Sequence, residues 1–366
     1  MGPLIVAAGG GGDAITGSAL AGPLGLTEPP VVITYSWDRL MIDPLPGPRS
    51  AKDFTGLRHL APRVLEVIHS TQPTGGAGSS LPRLATDLPT RLVLLDAAGG
   101  AVDMAAQIRA AAEFFDTDEI ALIDVGGDAL TNGADPGLRS PLADQLAIAA
   151  CVRSGLHVRV LIAAPGIDGE LPTETVHARL RALNAQELPD LTGPDLDPVR
   201  PVFNWHPSEA SGLLAAAASG RRGRVEIRDA GDHIKLTART PALFSVDATD
   251  TLEMTPSASL TDSRSLAEAE AIMRQTTGIS EIRYETEKAS RLHAHVAHFP
   301  THADLPAVDM RACDASSRGA DYISVRRLSE LLGATTLDTF AALSDLLAIE
   351  RPGRYEPSIY RTSPTP

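Results

Sequence analysis

The amino-acid sequence predicts an α/β protein: a doubly wound parallel sheet followed by a smaller C-terminal portion that contains β-structure. Three observations carry this. Short apolar runs alternate with helix-forming segments over the first half of the chain, three of those runs end in glycine and an acid, and after residue 185 the spacing changes to short alternating runs. Continuous apolar strands separated by helices are buried on both faces, which is the pattern of a Rossmann-like sheet.

Residues 3–8 are the first apolar run; they end in Gly9-Gly10-Gly11-Gly12-Asp13, and residues 13–24 follow with helical spacing. Residues 31–35 are a β-branched run that closes on Ser36-Trp37-Asp38-Arg39, and residues 44–56 and 71–80 read as connections rich in Pro, Gly and Ser. RLVLLD (91–96) is a third strand, residues 101–115 a helix, EIALIDV (119–125) a fourth strand, 141–154 a helix, 158–163 a fifth strand and 172–183 another helix. Beyond these, 208–219 is helical, RVEIRD, HIKLTA and LFSVDA read as antiparallel strands, and 266–277 and 323–349 are helices. The expected division is a ligand-binding core over 1–200, a mixed α+β portion over 201–350 packed on it, and a flexible Pro-rich tail over 351–366.

The chain has 366 residues, 43% of them hydrophobic, enough to bury a large core. Its 32 Lys and Arg stand against 46 Asp and Glu, a net charge of −14 without a basic block, which argues against nucleic acid as a partner. The one basic knot, Arg221-Arg222-Gly223-Arg224, reads as a solvated turn. Cys151 and Cys313 show no CxxC spacing, so neither a disulfide framework nor a thiolate zinc site is implied, and a reducing cytoplasm is the expected home. Cys151 sits in an apolar run as a core residue. The first apolar run is too short for a signal segment or a membrane span, so the chain is expected to start directly in structure.

Glycines after a first strand let backbone N–H groups approach a ligand, and the following helix adds its positive N-terminal end. The spacing is neither GxGxxG nor a P-loop, because no Gly-Lys-Ser/Thr follows. Gly10, Gly11 and Gly12 are therefore expected at a ligand, with Asp13 as a helix cap or as a contact to a hydroxyl, an amine or a metal. Asp124-Val125-Gly126-Gly127-Asp128 repeats the arrangement, and Asp124 and Asp128 could hold a divalent cation. Gly166-Ile167-Asp168-Gly169-Glu170 repeats it again. Open α/β sheets bind ligands outside the carboxyl ends of their strands, so the three loops should face one crevice together with Trp37 and Asp38.

Asp128, Asp168, Glu170 and His206 are the candidate acid/base residues. Arg139 is the candidate anion clamp, with Asp128 or Asp135 as the partner that would occupy it instead, and Ser140 and Pro141 begin a helix. His206 stands before a helix N-terminus, where a packing role competes with proton transfer. His293, His295, His298 and His302 lack HExxH spacing and read as surface or as subunit contact in a homo-oligomer. Residues 280–288 read as a solvated charged segment from which Glu281 or Tyr284 could reach the crevice. The expected function is an enzyme of lyase or hydrolase type acting on a small polar or nucleotide-like molecule. A nucleotide-binding sensor and a nucleotide-cofactor redox enzyme are the rival readings, and the cofactor is left open between a divalent cation and a nucleotide.

In the segments AAGGGGDAITGSALAGPL, TYSWDRLMIDPLPGPR, IDVGGDALTNGADPGLRSPLADQLAIAA, APGIDGEL and HPSEASGLLAAAASGRRGRVEIRD the chain resembles the uncharacterised family called domain of unknown function 1152. The resemblance runs from about Leu4 to about Lys288. It implies no established reaction; it implies a family met in archaea and actinobacteria, sometimes among secondary-metabolite genes. Ala134-Asp135-Pro136 stands where the family pattern has Glu before Pro, so Asp135 is the acid at that place. The Gly-Gly-Asp loop is also similar, over a short stretch, to D-glutamate cyclase, a lyase of small amino acids.

Overall fold

A computed structural model describes residues 2–228, 230–292 and 296–363. Nine strands form the main sheet, in the order Gln186–Leu188, Leu243–Asp247, His157–Ala163, Glu119–Val125, Leu4–Ala7, Val32–Thr34, Leu92–Leu94, Val64–Val67, Arg58–Ala61. The five central strands are parallel, and the two at either edge run antiparallel. The protein is thus α/β with a mixed sheet. The parallel order expected from the apolar runs holds in the centre only, because each edge is closed by strands that pair antiparallel.

Helices cover both faces, which is why the central strands carry no polar alternation. Leu4 and Val6 point to Met104 and Ile108 of helix Gly100–Phe114 and to Leu142 and Leu146 of helix Pro141–Arg153. Ile5 and Ala7 point the other way, to Ile15 of helix Gly11–Ser18 and to Leu213 and Leu214 of helix Glu209–Ala218. Truncating any one of these large side chains to Ala should cost about 2–5 kcal/mol.

Three elements differ from expectation, and a fourth, the hairpin over residues 58–67, was not foreseen. RHLAPRVLEV, short and polar, pairs as a hairpin at the sheet edge, where Glu66 is buried and binds Arg58 and Arg91. LFSVDA does not join its neighbours RVEIRD and HIKLTA but inserts into the main sheet beside His157–Ala163. The expected flexible tail returns instead as strands Tyr355–Glu356 and Ile359–Arg361 of a five-stranded sheet, ordered Asp232–Leu236, Gly223–Ile227, Tyr322–Ser324, Ile359–Arg361, Tyr355–Glu356. Burial of Ile359 and Tyr360 there outweighs the prolines around them. The expected helix over 323–349 divides into Val325–Leu331 and Leu337–Glu350, broken at Gly333 in left-handed conformation.

Among the described residues no helix is long and apolar enough to cross a membrane. His293 and His295 lie outside the described residues, while His298 and His302 are exposed partners of Asp304 and Glu350.

Candidate functional site: a cleft between carboxylates and arginines

A cavity of about 200 Å³ opens at the carboxyl ends of the central strands. It is lined by Gly9, Gly12 and Asp13 after the first strand, Trp37, Asp38 and Arg39 after the second, Asp124 and Asp128 at the fourth, and Asp168 and Glu170 after the fifth. The three glycine-and-acid loops therefore line one space.

Within them the glycines shape the chain more than they meet the cavity. Gly10 has φ +97°, and a Cβ there would stand 2.8 Å from the Trp37 carbonyl oxygen. Gly11 opens helix Gly11–Ser18, and the Gly9 N–H donates to Asp13 Oδ2 at 2.8 Å, so Asp13 caps backwards from the first turn. Gly126 (φ +137°) leaves room for the Asp168 side chain, and Gly127 (φ +99°) packs against Val176 and Ile162. Gly10, Gly11, Gly126 and Gly127, expected at a ligand, all stand behind the lining.

The acids gather in two groups, each with one oxygen per residue lying within 4.8 Å of the others: Asp13, Asp124 and Asp144, then Asp128, Asp168 and Glu170. The expected Asp124/Asp128 pair is thus divided between them. Burial pushes the carboxyls of Asp13 and Asp168 up to about 7. It also holds Asp124, Asp128 and Asp144 well above the usual range, and the neighbouring acids push the same way. Asp144 Oδ1 is buried without a hydrogen-bond partner among the described residues.

Glu170, Ser140, Asp38, Trp37 and Arg139, all expected at the site, are engaged with the fold. Glu170 Oε2 accepts from the N–H groups of Arg139 (2.8 Å) and Ser140 (3.3 Å), and Oε1 accepts from Ser140 Oγ (2.8 Å) and Arg228 Nη2 (3.3 Å). Ser140 spends its hydroxyl there and does not cap its helix. Asp38 accepts from Ser80 N–H and Oγ, and the Trp37 indole donates to Glu285 at 3.0 Å. Burial raises the Asp38 carboxyl to about 6 against those hydrogen bonds. Arg139 reaches Asp232 at 3.7 Å, and Asp135 pairs with Arg179 at 2.6 Å away from the cavity lining.

The same cavity is also lined by arginines. Arg39 stands exposed to the cleft, and no side chain among the described residues hydrogen-bonds to it. The charges of Arg326 and Arg228 lower its affinity for its proton. Arg228 is buried in left-handed conformation (φ +59°), with Nη1 unpartnered among the described residues. Arg326 is held by Glu209 and Glu330, each at 3.2 Å. His206 is buried beside them; its Nδ1 accepts from the Ser208 N–H at 3.2 Å, which places its proton on the unpartnered Nε2. Burial, with Arg39 and Arg83, lowers the ring to about 3. At neutral pH the His206 ring, expected from sequence as a general acid or base, is therefore neutral, with its Nε2–H as a hydrogen-bond donor.

The family model described as protein of unknown function DUF1152 matches residues 4–289. The chain belongs to that family. No curated protein and no solved structure matches it significantly. The DUF1152 match takes in the cleft carboxylates from Asp13 to Glu285 with Arg39, His206 and Arg228, and ends inside helix Glu281–Leu292; Arg326 and Glu330 come from beyond it.

That helix replaces the solvated segment expected over 280–288. Glu281, Tyr284, Glu285 and Lys288, spaced i, i+3, i+4, i+7, all line the cavity. Glu281 Oε2 accepts from the Leu142 N–H at 2.9 Å, and Glu285 from the Gly47 N–H at 2.7 Å. The helical spacing of these polar residues was the sequence clue to a face laid on a site. Asp144 carried a weaker one, as the lone acid in PLADQLAIAACV. Nothing local in the sequence marks Arg228 or Arg326.

Proposed function

We propose that the protein is an enzyme acting on a small polar metabolite that carries an anionic group, by acid/base chemistry of lyase or hydrolase type. The observation that carries this reading is that one cavity is lined by both kinds of group: the acids Asp128 and Asp168, and Arg39, Arg228 and the His206 ring with its unpartnered Nε2. The arginines and the His206 ring grip the anion and supply donors to charge that develops on it. Asp168, titrating near neutrality, takes a proton from the substrate or returns one at the opposite end, with Asp128 as its partner. Glu170 is a positioning residue, since its oxygens hold Arg228 and the Arg139-Ser140 backbone.

The central strands, taken in chain order, lie 5-4-1-2-3 across the sheet, and we read this as a Rossmann-like plan with its ligand at the reversal. A net charge of −14 and two isolated cysteines support a cytoplasmic protein without a nucleic-acid partner. A thermal-shift panel of phosphorylated, carboxylated and neutral metabolites tests the reading: anionic members should raise the melting temperature and neutral analogues should not. Stabilisation by neutral analogues alone would contradict it.

A further inference from the structure

We propose that Asp13, Asp124 and Asp144 bind a divalent cation, Mg²⁺ or Mn²⁺. Three separate elements deliver these acids: the first turn of helix Gly11–Ser18, the end of strand Glu119–Val125 and the first turn of helix Pro141–Arg153. One oxygen from each lies within 4.8 Å of the others. An octahedral ion with ligands at about 2.1 Å needs oxygens about 3 to about 4.2 Å apart, a contraction that side-chain rotation supplies.

A second observation points to an occupant. Asp144 is 4% exposed, and its Oδ1 has no hydrogen-bond donor among the described residues. That atom faces the glycine turn: a Cβ added at Gly9 would stand 3.6 Å from it and 2.9 Å from Asp13 Oδ2. A buried carboxylate oxygen without a donor is costly unless something positive completes it. No ion pair involving Asp13, Asp124 or Asp144 is found among the described residues.

The second acidic group is a poorer host. Both Glu170 oxygens already accept hydrogen bonds, whereas Asp13 and Asp124 each spend one oxygen, on the Gly9 and Ala129 N–H groups. Three protein oxygens leave half of an octahedron to water and to an oxygen of whatever enters the cavity, which is the mode in which Mg²⁺ is commonly held. The inference goes beyond the acid/base reading and stands without it, because binding of the ion is measured with no substrate present.

The test is calorimetric titration of the chelator-treated full chain with Mn²⁺ and with Mg²⁺, followed by the electron paramagnetic resonance signal of free Mn²⁺. Wild-type protein should bind one ion per chain. Asp144→Asn and Asp124→Asn should each weaken binding at least about tenfold, while Asp128→Asn stays within about threefold. Thermal melting of each variant verifies that it is folded, and neutralising an acid in this crowded group should not lower its melting point. Wild-type affinity in both Asp144→Asn and Asp124→Asn, an equal loss in Asp128→Asn, or no saturable binding at millimolar Mn²⁺ would each overturn the proposal.

Discussion

Arg228 Nη2 donates to Glu170 Oε1 across 3.3 Å, tying the five-stranded sheet to the loop after the fifth parallel strand. Because Glu170 also holds the backbone before helix Pro141–Arg153, one carboxylate joins Arg228 to the segment that begins that helix. Glu170→Gln removes the charge and leaves a buried guanidinium poorly compensated. Denaturant unfolding should show a loss of about 2–4 kcal/mol. A change within about 0.5 kcal/mol would mean that Arg228 is held by other groups.

Glu226 makes a pH prediction. It is buried, accepts from Arg318 at 2.8 and 2.9 Å and from Arg327 at 2.5 Å, and although burial raises its carboxyl, these arginines bring it down to about 2. A folded-state value below the unfolded one gives stability that is present above pH about 4.5 and lost as pH falls towards 2. Unfolding free energy should drop by about 3 kcal/mol over that window, and Glu226→Gln should flatten the drop while lowering stability at pH 7. An unaltered profile in the variant would assign the acid lability elsewhere.

His206 predicts a higher window. The unfolded ring takes up its proton near pH 6.5, whereas the folded ring resists until about 3. Its contribution is therefore complete above pH about 6.5 and falls below it by about 1.4 kcal/mol per pH unit. His206→Gln keeps a donor and removes this slope. Nuclear magnetic resonance of the ring should show no titration between pH 5 and 8; a midpoint in that interval would contradict the lowered value.

Much of the cleft was legible because strand ends announce themselves. Leu4–Ala7, Glu119–Val125 and His157–Ala163 are apolar runs closed by Gly and Asp, and the parallel-sheet rule brings such ends together. Sequence did not reveal which atoms are spent. Glu170 and Asp38 look like free carboxylates in a motif and are saturated by Ser140, Arg228 and Ser80 in the fold. Arg228 and Arg326 escaped because long-range pairing of the second sheet delivers them, and the Arg58–Ala61 and Val64–Val67 hairpin escaped because edge strands need only a partly apolar face.

Arg39 separates anion binding from stability. Its guanidinium has no hydrogen-bond partner among the described residues and stands near two other arginines, so Arg39→Gln should leave the melting point unchanged or raise it. Calorimetry with inorganic phosphate or pyrophosphate should show affinity reduced at least about tenfold, the loss of one charge-assisted contact. Equal affinity would place the anion elsewhere.

The central claim is that this cleft transforms the anionic metabolite it binds. Mass spectrometry of a defined pool of phosphorylated and carboxylated metabolites, incubated with the protein and Mn²⁺, measures it directly. Wild-type protein should deplete at least one member and accumulate its product. Asp168→Asn should bind that member, read by thermal shift, yet convert it at least about a hundredfold more slowly. Ligand-linked stabilisation with no member consumed, or undiminished turnover in Asp168→Asn, would contradict the account.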